Sequence, residues 1–204
     1  INGFLLGHRP YGYVSFEYEL TGHLNPAGQP NLIAVRTDTS KQPASRYYFG
    51  AGIIRHTRLV VEDPVHIAHW GTFVTTPKVA ADAATVHVRA TVLNASDAPR
   101  TVALQVKLAD PSGQPAGTAQ TVAELIPPGQ SIDFNQDVAV PNPKLWDLDH
   151  PNMYTATASV LDNDTTLDSE NVPFGIRTFE FRSDTGFWLN GKNFKLKGVC
   201  LHAD

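Results

Sequence analysis

The 204 residues suffice for one large or two small domains, and a composition that is 42% hydrophobic and 18% charged, with 15 Gly and 15 Pro, belongs to a folded, turn-rich chain rather than a disordered one. A net charge of -4 without any Lys/Arg run argues against a nucleic-acid partner, and no stretch is long and apolar enough for a helix to cross a membrane. The single cysteine, Cys200, excludes a disulfide framework and a cysteine zinc site.

In chain order the signals are those of short strands; helical periodicity is nearly absent. Asn2-Gly3 is the dipeptide of a two-residue hairpin turn and calls for a strand before it. Alternating or β-branched runs then occur at 13–20, 31–37, 53–62, 84–94, 100–110, 120–125, 131–140 and 153–162. Turn residues separate them: Asn25-Pro26-Ala27-Gly28, the 94–99 segment, Asp110-Pro111-Ser112-Gly113, Pro127-Pro128-Gly129 and Asp162-Asn163-Asp164. This rhythm predicts all-β sandwiches. The 63–172 stretch reads as a seven-stranded immunoglobulin-like β-sandwich without its disulfide, and 1–62 as part of a different β domain. After Pro173, a hairpin is expected about Asn190-Gly191, with a returning strand over 194–201. The chain opens on Ile1-Asn2-Gly3-Phe4, with neither Met nor a leader pattern, and closes on a strand-like run, so both ends are expected to be internal to a longer chain.

Four stretches, in one order, carry a family resemblance. Pro10-Tyr11-Gly12-Tyr13 is followed by Phe16-Glu17-Tyr18-Glu19-Leu20. Asn31-Leu32-Ile33-Ala34-Val35-Arg36 leads to Ser45-Arg46-Tyr47-Tyr48-Phe49-Gly50-Ala51-Gly52-Ile53-Ile54-Arg55. Pro143-Lys144-Leu145-Trp146 is followed by Pro151-Asn152-Met153-Tyr154. Phe174-Gly175-Ile176-Arg177 precedes Leu189-Asn190-Gly191-Lys192 and Lys195-Leu196-Lys197-Gly198-Val199. Together they resemble family 2 glycoside hydrolases, of β-galactosidase type. The resemblance implies an incomplete jelly-roll (galactose-binding-like) sandwich at 1–62, the immunoglobulin-like sandwich at 63–172, and at 173–204 a linker hairpin and the first strand of a truncated (β/α)8 barrel. It also implies a retaining mechanism with two glutamates about 5–5.5 Å apart, acid/base and nucleophile, both on later barrel strands. This segment then holds no catalytic residue and is expected to be inactive alone.

By the same resemblance the substrate is a β-galactoside-like carbohydrate, and Asp204 and His202, at the C-terminal end of a barrel strand, would face it. Residues 38–49 correspond to a loop that reaches the site in some members, which nominates Asp38 and Arg46; an Arg46 ion pair at the domain interface competes with that role. Ala203 departs from the Glu or His often found there. No cofactor is implied for this segment, and the Mg²⁺ or Na⁺ of some galactosidases would sit on ligands elsewhere. A stand-alone carbohydrate-binding module and a structural spacer are the competing functions, and an exposed sheet edge would favour a homo-oligomer.

Other motifs read blandly. Glu17 and Glu19 share a strand face but suit a solvated one. Residues 186–192 spell G-x-x-x-x-G-K, yet Asn193 and a following strand leave no phosphate-binding helix. His66 and His69 point to opposite strand faces with no third ligand nearby. Asn94-Ala95-Ser96 and Asn163-Asp164-Thr165 are sequons of a frequency expected by chance. Trp146 and Tyr154 suit the sealed end of a sandwich better than sugar stacking.

Overall fold

The computed structural model describes residues 1–11, 14–40 and 52–200. The chain divides into two compact units, one built on Ile1–Leu59 and the other on Val60–Gly198. The fold is all-β.

In the first unit the described residues form one 3₁₀ turn, Thr21–His23, and no strand. The strands read from sequence over 13–20, 31–37 and 53–62 are therefore corrected: their described residues join no ladder. Alternation alone does not make a strand, because a strand's N–H and C=O groups need a neighbour to bond. Phe16, Leu32, Ile33, Val35, Ile53 and Ile54 are correspondingly exposed. Asn2 organises this unit. At φ 48, with Gly3 at φ 87, it makes the left-handed turn its sequence predicts. Asn2 N donates to Leu32 O (2.9 Å) and Leu32 N to Asn2 Oδ1 (2.9 Å), and Asn2 Nδ2 reaches His23 O and Asn31 Oδ1, each at 2.8 Å.

The sandwich of the second unit has eight strands in two antiparallel sheets: β1 Val65–Val79, β2 Ala83–Asn94, β3 Arg100–Ala109, β4 Pro115–Gln120, β5 Glu124–Ile126, β6 Ser131–Pro141, β7 Tyr154–Asp162 and β8 Thr165–Phe174. One sheet is ordered β1-β2-β6. The other is β4-β3-β7-β8, with β5 paired to the start of β3. Period-two alternation sends Val86, Val88, Ala90 and Val92 of β2 inward against Leu104 and Val106 of β3 and Ala156, Ala158 and Val160 of β7, with Phe134 of β6 filling the middle.

Three strands of the sandwich were not legible, β1, β4 and β8, and the run read at 120–125 is corrected: β4 ends at Gln120 and β5 starts at Glu124, with no ladder between them. β1 runs through Gly71 and Pro77, and its register slips between Ile67 and Thr72 and again between Thr75 and Lys78, so no alternation survives. β8 is polar, with only Phe174 buried. A buried side chain ties the turns at one end. Asn94, 0% exposed, donates through Nδ2 to Ala98 O (2.8 Å) and Ile126 O (2.9 Å), and its Oδ1 accepts from Ser96 N (3.0 Å) and Ser96 Oγ (2.6 Å).

A third sheet follows: β9 Phe179–Arg182, β10 Gly186–Leu189 and β11 Lys192–Phe194, in order β11-β10-β9. Asn190 (φ 47) and Gly191 (φ 74) make the expected hairpin turn. The returning strand ends at Phe194, and residues 195–200 join no ladder.

Candidate functional site

Of the four residues nominated from sequence, Arg46, His202 and Asp204 lie outside the described residues, so no site can be assembled around them. Asp38 is described. Its carboxylate accepts from Ser40 Oγ (2.6 Å) and Ser40 N (3.0 Å) and pairs with Arg36 Nη2 at 3.0 Å. The Ser40 hydroxyl, more than the arginine, holds the Asp38 pKa below its ordinary value. Asp38 is thus an ionised acceptor on a half-exposed loop, suited to hydroxyl donors and not to proton donation. Glu17 and Glu19 are exposed, and Glu19 Oε1 accepts from Thr21 N (2.8 Å) to start the 3₁₀ turn.

The motif residues farther along converge at one end of the sandwich. Tyr154, 2% exposed, accepts at its hydroxyl from Lys144 N (2.9 Å). Asn152 Nδ2 donates to Leu145 O (2.9 Å), and Trp146 N to Ile176 O (2.8 Å). The Trp146 ring lies against Gly175 with the Arg177 guanidinium 4.8 Å from its centroid. Asn190 closes the junction: Nδ2 donates to Trp146 O (2.9 Å), Oδ1 accepts from Thr178 N (2.9 Å), and its own N donates to Thr178 O (2.9 Å). The G-x-x-x-x-G-K run is this hairpin, and its polar tip binds backbone. Trp146 and Tyr154 serve packing here.

Charged groups follow the same logic. Asp110, Asp147 and Glu180 join Asp38 in having pKa values held low, by the Lys144 ammonium, the His150 amide and the Arg182 guanidinium respectively. A general acid of glycoside hydrolysis needs the opposite shift. Asp110 also accepts from Ser112 N (2.7 Å) and Gln114 N (3.0 Å), besides Lys144 Nζ at 2.8 Å. Because its folded pKa lies below the ordinary 3.8, its contribution to stability is complete above that pH and is lost as pH falls from 3.8 through the lower folded value. In urea titrations across pH, Lys144→Met should therefore be less stable than the parent chain at neutral pH. The gap should close below pH 3.8; one that persists undiminished there refutes the role given to this pair.

Among the described residues no three His, Cys, Asp or Glu side chains are grouped to hold a metal. His66 Nδ1 lies 2.8 Å from Asp63 O, and His69 stacks on Trp70, a residue the sequence reading passed over. Asn94 has its amide buried and bonded, which leaves no acceptor at that sequon, whereas Asn163 sits at φ 52 in the exposed β7–β8 turn. A cavity of about 250 Å³ beside Arg100 and Asp162, paired at 2.7 Å, lacks any aromatic wall.

A family model, glycosyl hydrolases family 2, matches residues 65–177. The chain is 41% identical over its whole length to the beta-galactosidase BoGH2A of Bacteroides ovatus, covering 24% of that protein. It is 30% identical to a beta-glucuronidase of Formosa agariphila over 97% of this chain and 22% of the relative. A solved beta-glycosidase from Bacteroides vulgatus superimposes with a TM-score of 0.79, at 30% identity, over 97% of this chain and 24% of the other. The chain thus spans about a quarter of the length of the relatives it matches.

Proposed function

Because the chain belongs to glycosyl hydrolases family 2, we propose that it is a non-catalytic portion of a retaining β-glycosidase of β-galactosidase type. The observation that carries this reading is the 41% identity to a beta-galactosidase across every residue of the chain.

In this reading 1–62 is the late part of a jelly-roll domain, 63–172 an immunoglobulin-like spacer, and 173–204 leads into the catalytic barrel. The sandwich and its pinned hairpin set where the barrel begins. Asp204, His202, Asp38 and Arg46 would contact sugar hydroxyls only in the longer enzyme. There two glutamates outside this sequence would form and hydrolyse a glycosyl-enzyme intermediate. The identity to a beta-glucuronidase supports a second reading, a uronic-acid substrate in place of a galactoside.

Hydrolysis of chromogenic β-galactoside and β-glucuronide by this chain, beside a longer chain that continues it, tests both readings. Turnover is expected only in the longer chain, and the preferred substrate decides between them. Turnover by the 204 residues alone overturns the non-catalytic assignment.

A further inference from the structure

The least regular part of the sandwich is on β1. Ile67 pairs with Val92 and Thr72 with Ala90, so four residues, Ala68, His69, Trp70 and Gly71, stand opposite Thr91 alone. Trp70 takes φ 53, a left-handed conformation that bulky side chains rarely adopt, and its indole is 73% exposed. Gly71 holds it there: a Cβ at that position would lie 2.6 Å from Ala68 O and 2.9 Å from Thr91 O, so the backbone is pressed onto β2 and the preceding side chain is thrown outward. His69 stacks on the indole, centroids 4.5 Å apart at 33°. Beside the excursion the sheet carries polar groups and a second aromatic, Phe73, 57% exposed with the Arg89 guanidinium 5.7 Å from its ring centroid. Thr91 Oγ1 donates to Asp133 Oδ1 at 2.5 Å, and Arg89 lies 3.9 Å from the other carboxylate oxygen. An aromatic held exposed at backbone cost, next to hydroxyl-binding groups, needs an occupant to explain it.

We propose that the His69–Trp70 step is a stacking platform for a pyranose ring, a sugar-binding site separate from Asp38, Arg46, His202 and Asp204. The choice of sugar rests on the glycosidase reading above. A pyranose presents a C–H face to an indole and hydroxyls at its rim to Thr91, Asp133 and Arg89. A second protein copy fits less well. Trp70 and Phe73 together offer roughly 300–500 Å², against about 800 Å² per partner in a stable interface, and Thr91, Asp133 and Arg89 accompany them.

The test uses the 204-residue chain, whose three tryptophans are Trp70, Trp146 and Trp188. Methyl β-galactopyranoside is titrated while the indole N–H resonances are followed by NMR. Trp70→Asn assigns the Trp70 signal; asparagine tolerates the left-handed backbone, so this variant should melt no lower than the parent. The expected result is saturable movement of the Trp70 signal alone, with a Kd on the order of 1 mM for a ligand of this size. His69→Ala should weaken it severalfold. The proposal is overturned if the signal stays still at concentrations tens of times that Kd, or if sorbitol, which has no ring face, moves it equally. Movement with protein concentration in the absence of sugar would overturn it in favour of self-association. These outcomes read binding by this chain and leave the hydrolysis result independent.

Discussion

Replacing Asn94 by leucine should cost the sandwich about 3 kcal/mol or more, because each buried polar group left unpaired costs about 1–3 kcal/mol. Leucine nearly matches the volume but removes four hydrogen bonds at once. It strands Ile126 O in the interior and Ser96 N beside it, while Ala98 O keeps the Ser96 hydroxyl at 3.0 Å. For a domain of this size the loss should lower the thermal midpoint by roughly 10–20 °C. In urea the midpoint should fall while the slope stays constant, the mark of lost stability rather than a changed denatured state. Ser96→Ala, which gives up only the hydroxyl, should cost about 1 kcal/mol. If Asn94→Leu unfolds like the parent, the amide is an ornament of the loop. The assignment of Asn94 as the tie between the β2 and β5 ends would then fail.

Gly175→Ala should cost about 2 kcal/mol, within the usual range for overpacking. The new methyl would meet Trp146 at Cβ (2.8 Å), Cγ (2.9 Å) and Cδ1 (3.1 Å), atoms near the root of the side chain that no rotamer change clears. Trp146 cannot retreat freely, because its N is bound to Ile176 O and its O to Asn190. The damage should therefore spread along the junction. The amides of Thr178 and Asn190 should lose hydrogen-exchange protection first, ahead of the β2 and β3 amides. A double-mutant cycle with Asn190→Ala should show a coupling of about 0.5 kcal/mol or more. Strict additivity would mean that the hairpin and the Trp146 corner are independent, contrary to the geometry.

Sequence and structure agree best where burial enforces alternation. The valines of β2 and the Leu104–Val106 pair of β3 mark their strands because each inward residue meets the facing sheet. The turns at Asp110-Pro111-Ser112-Gly113 and Asn190-Gly191 were legible because glycine takes the left-handed angle at Gly113 (φ 78) and Gly191 (φ 74). Before Leu59 the same alternation misled, since its described residues have no ladder partner, and pairing is a property of two segments that one segment cannot announce. β1 hid for another reason: its irregularity is the very feature that raises Trp70, and an isolated glycine after a tryptophan was the only trace of it. The site was less legible still. Asp38 was nominated by resemblance alone, and its ring of bonds to Ser40 and Arg36 depends on loop geometry that no spacing encodes. The structural roles of Asn94 and Asn190 were invisible, because an amide that binds distant carbonyls looks in sequence like any turn asparagine.

The broken register of β1 also bears on how this sheet behaves when molecules crowd. Among the described residues β1 is the outermost strand of its sheet, and it is fifteen residues long, a length that could template intermolecular pairing and seed fibrous deposits. Its regular pairing is cut into runs of three, four and two residues, Val65 to Ile67, Thr72 to Thr75 and Lys78 to Val79. Pro77 in the last gap offers no N–H to an incoming chain. An arriving strand would find no flat stretch long enough to zip along. The irregular edge therefore acts as a guard against amyloid-like growth, built into the same residues that hold an indole out to solvent.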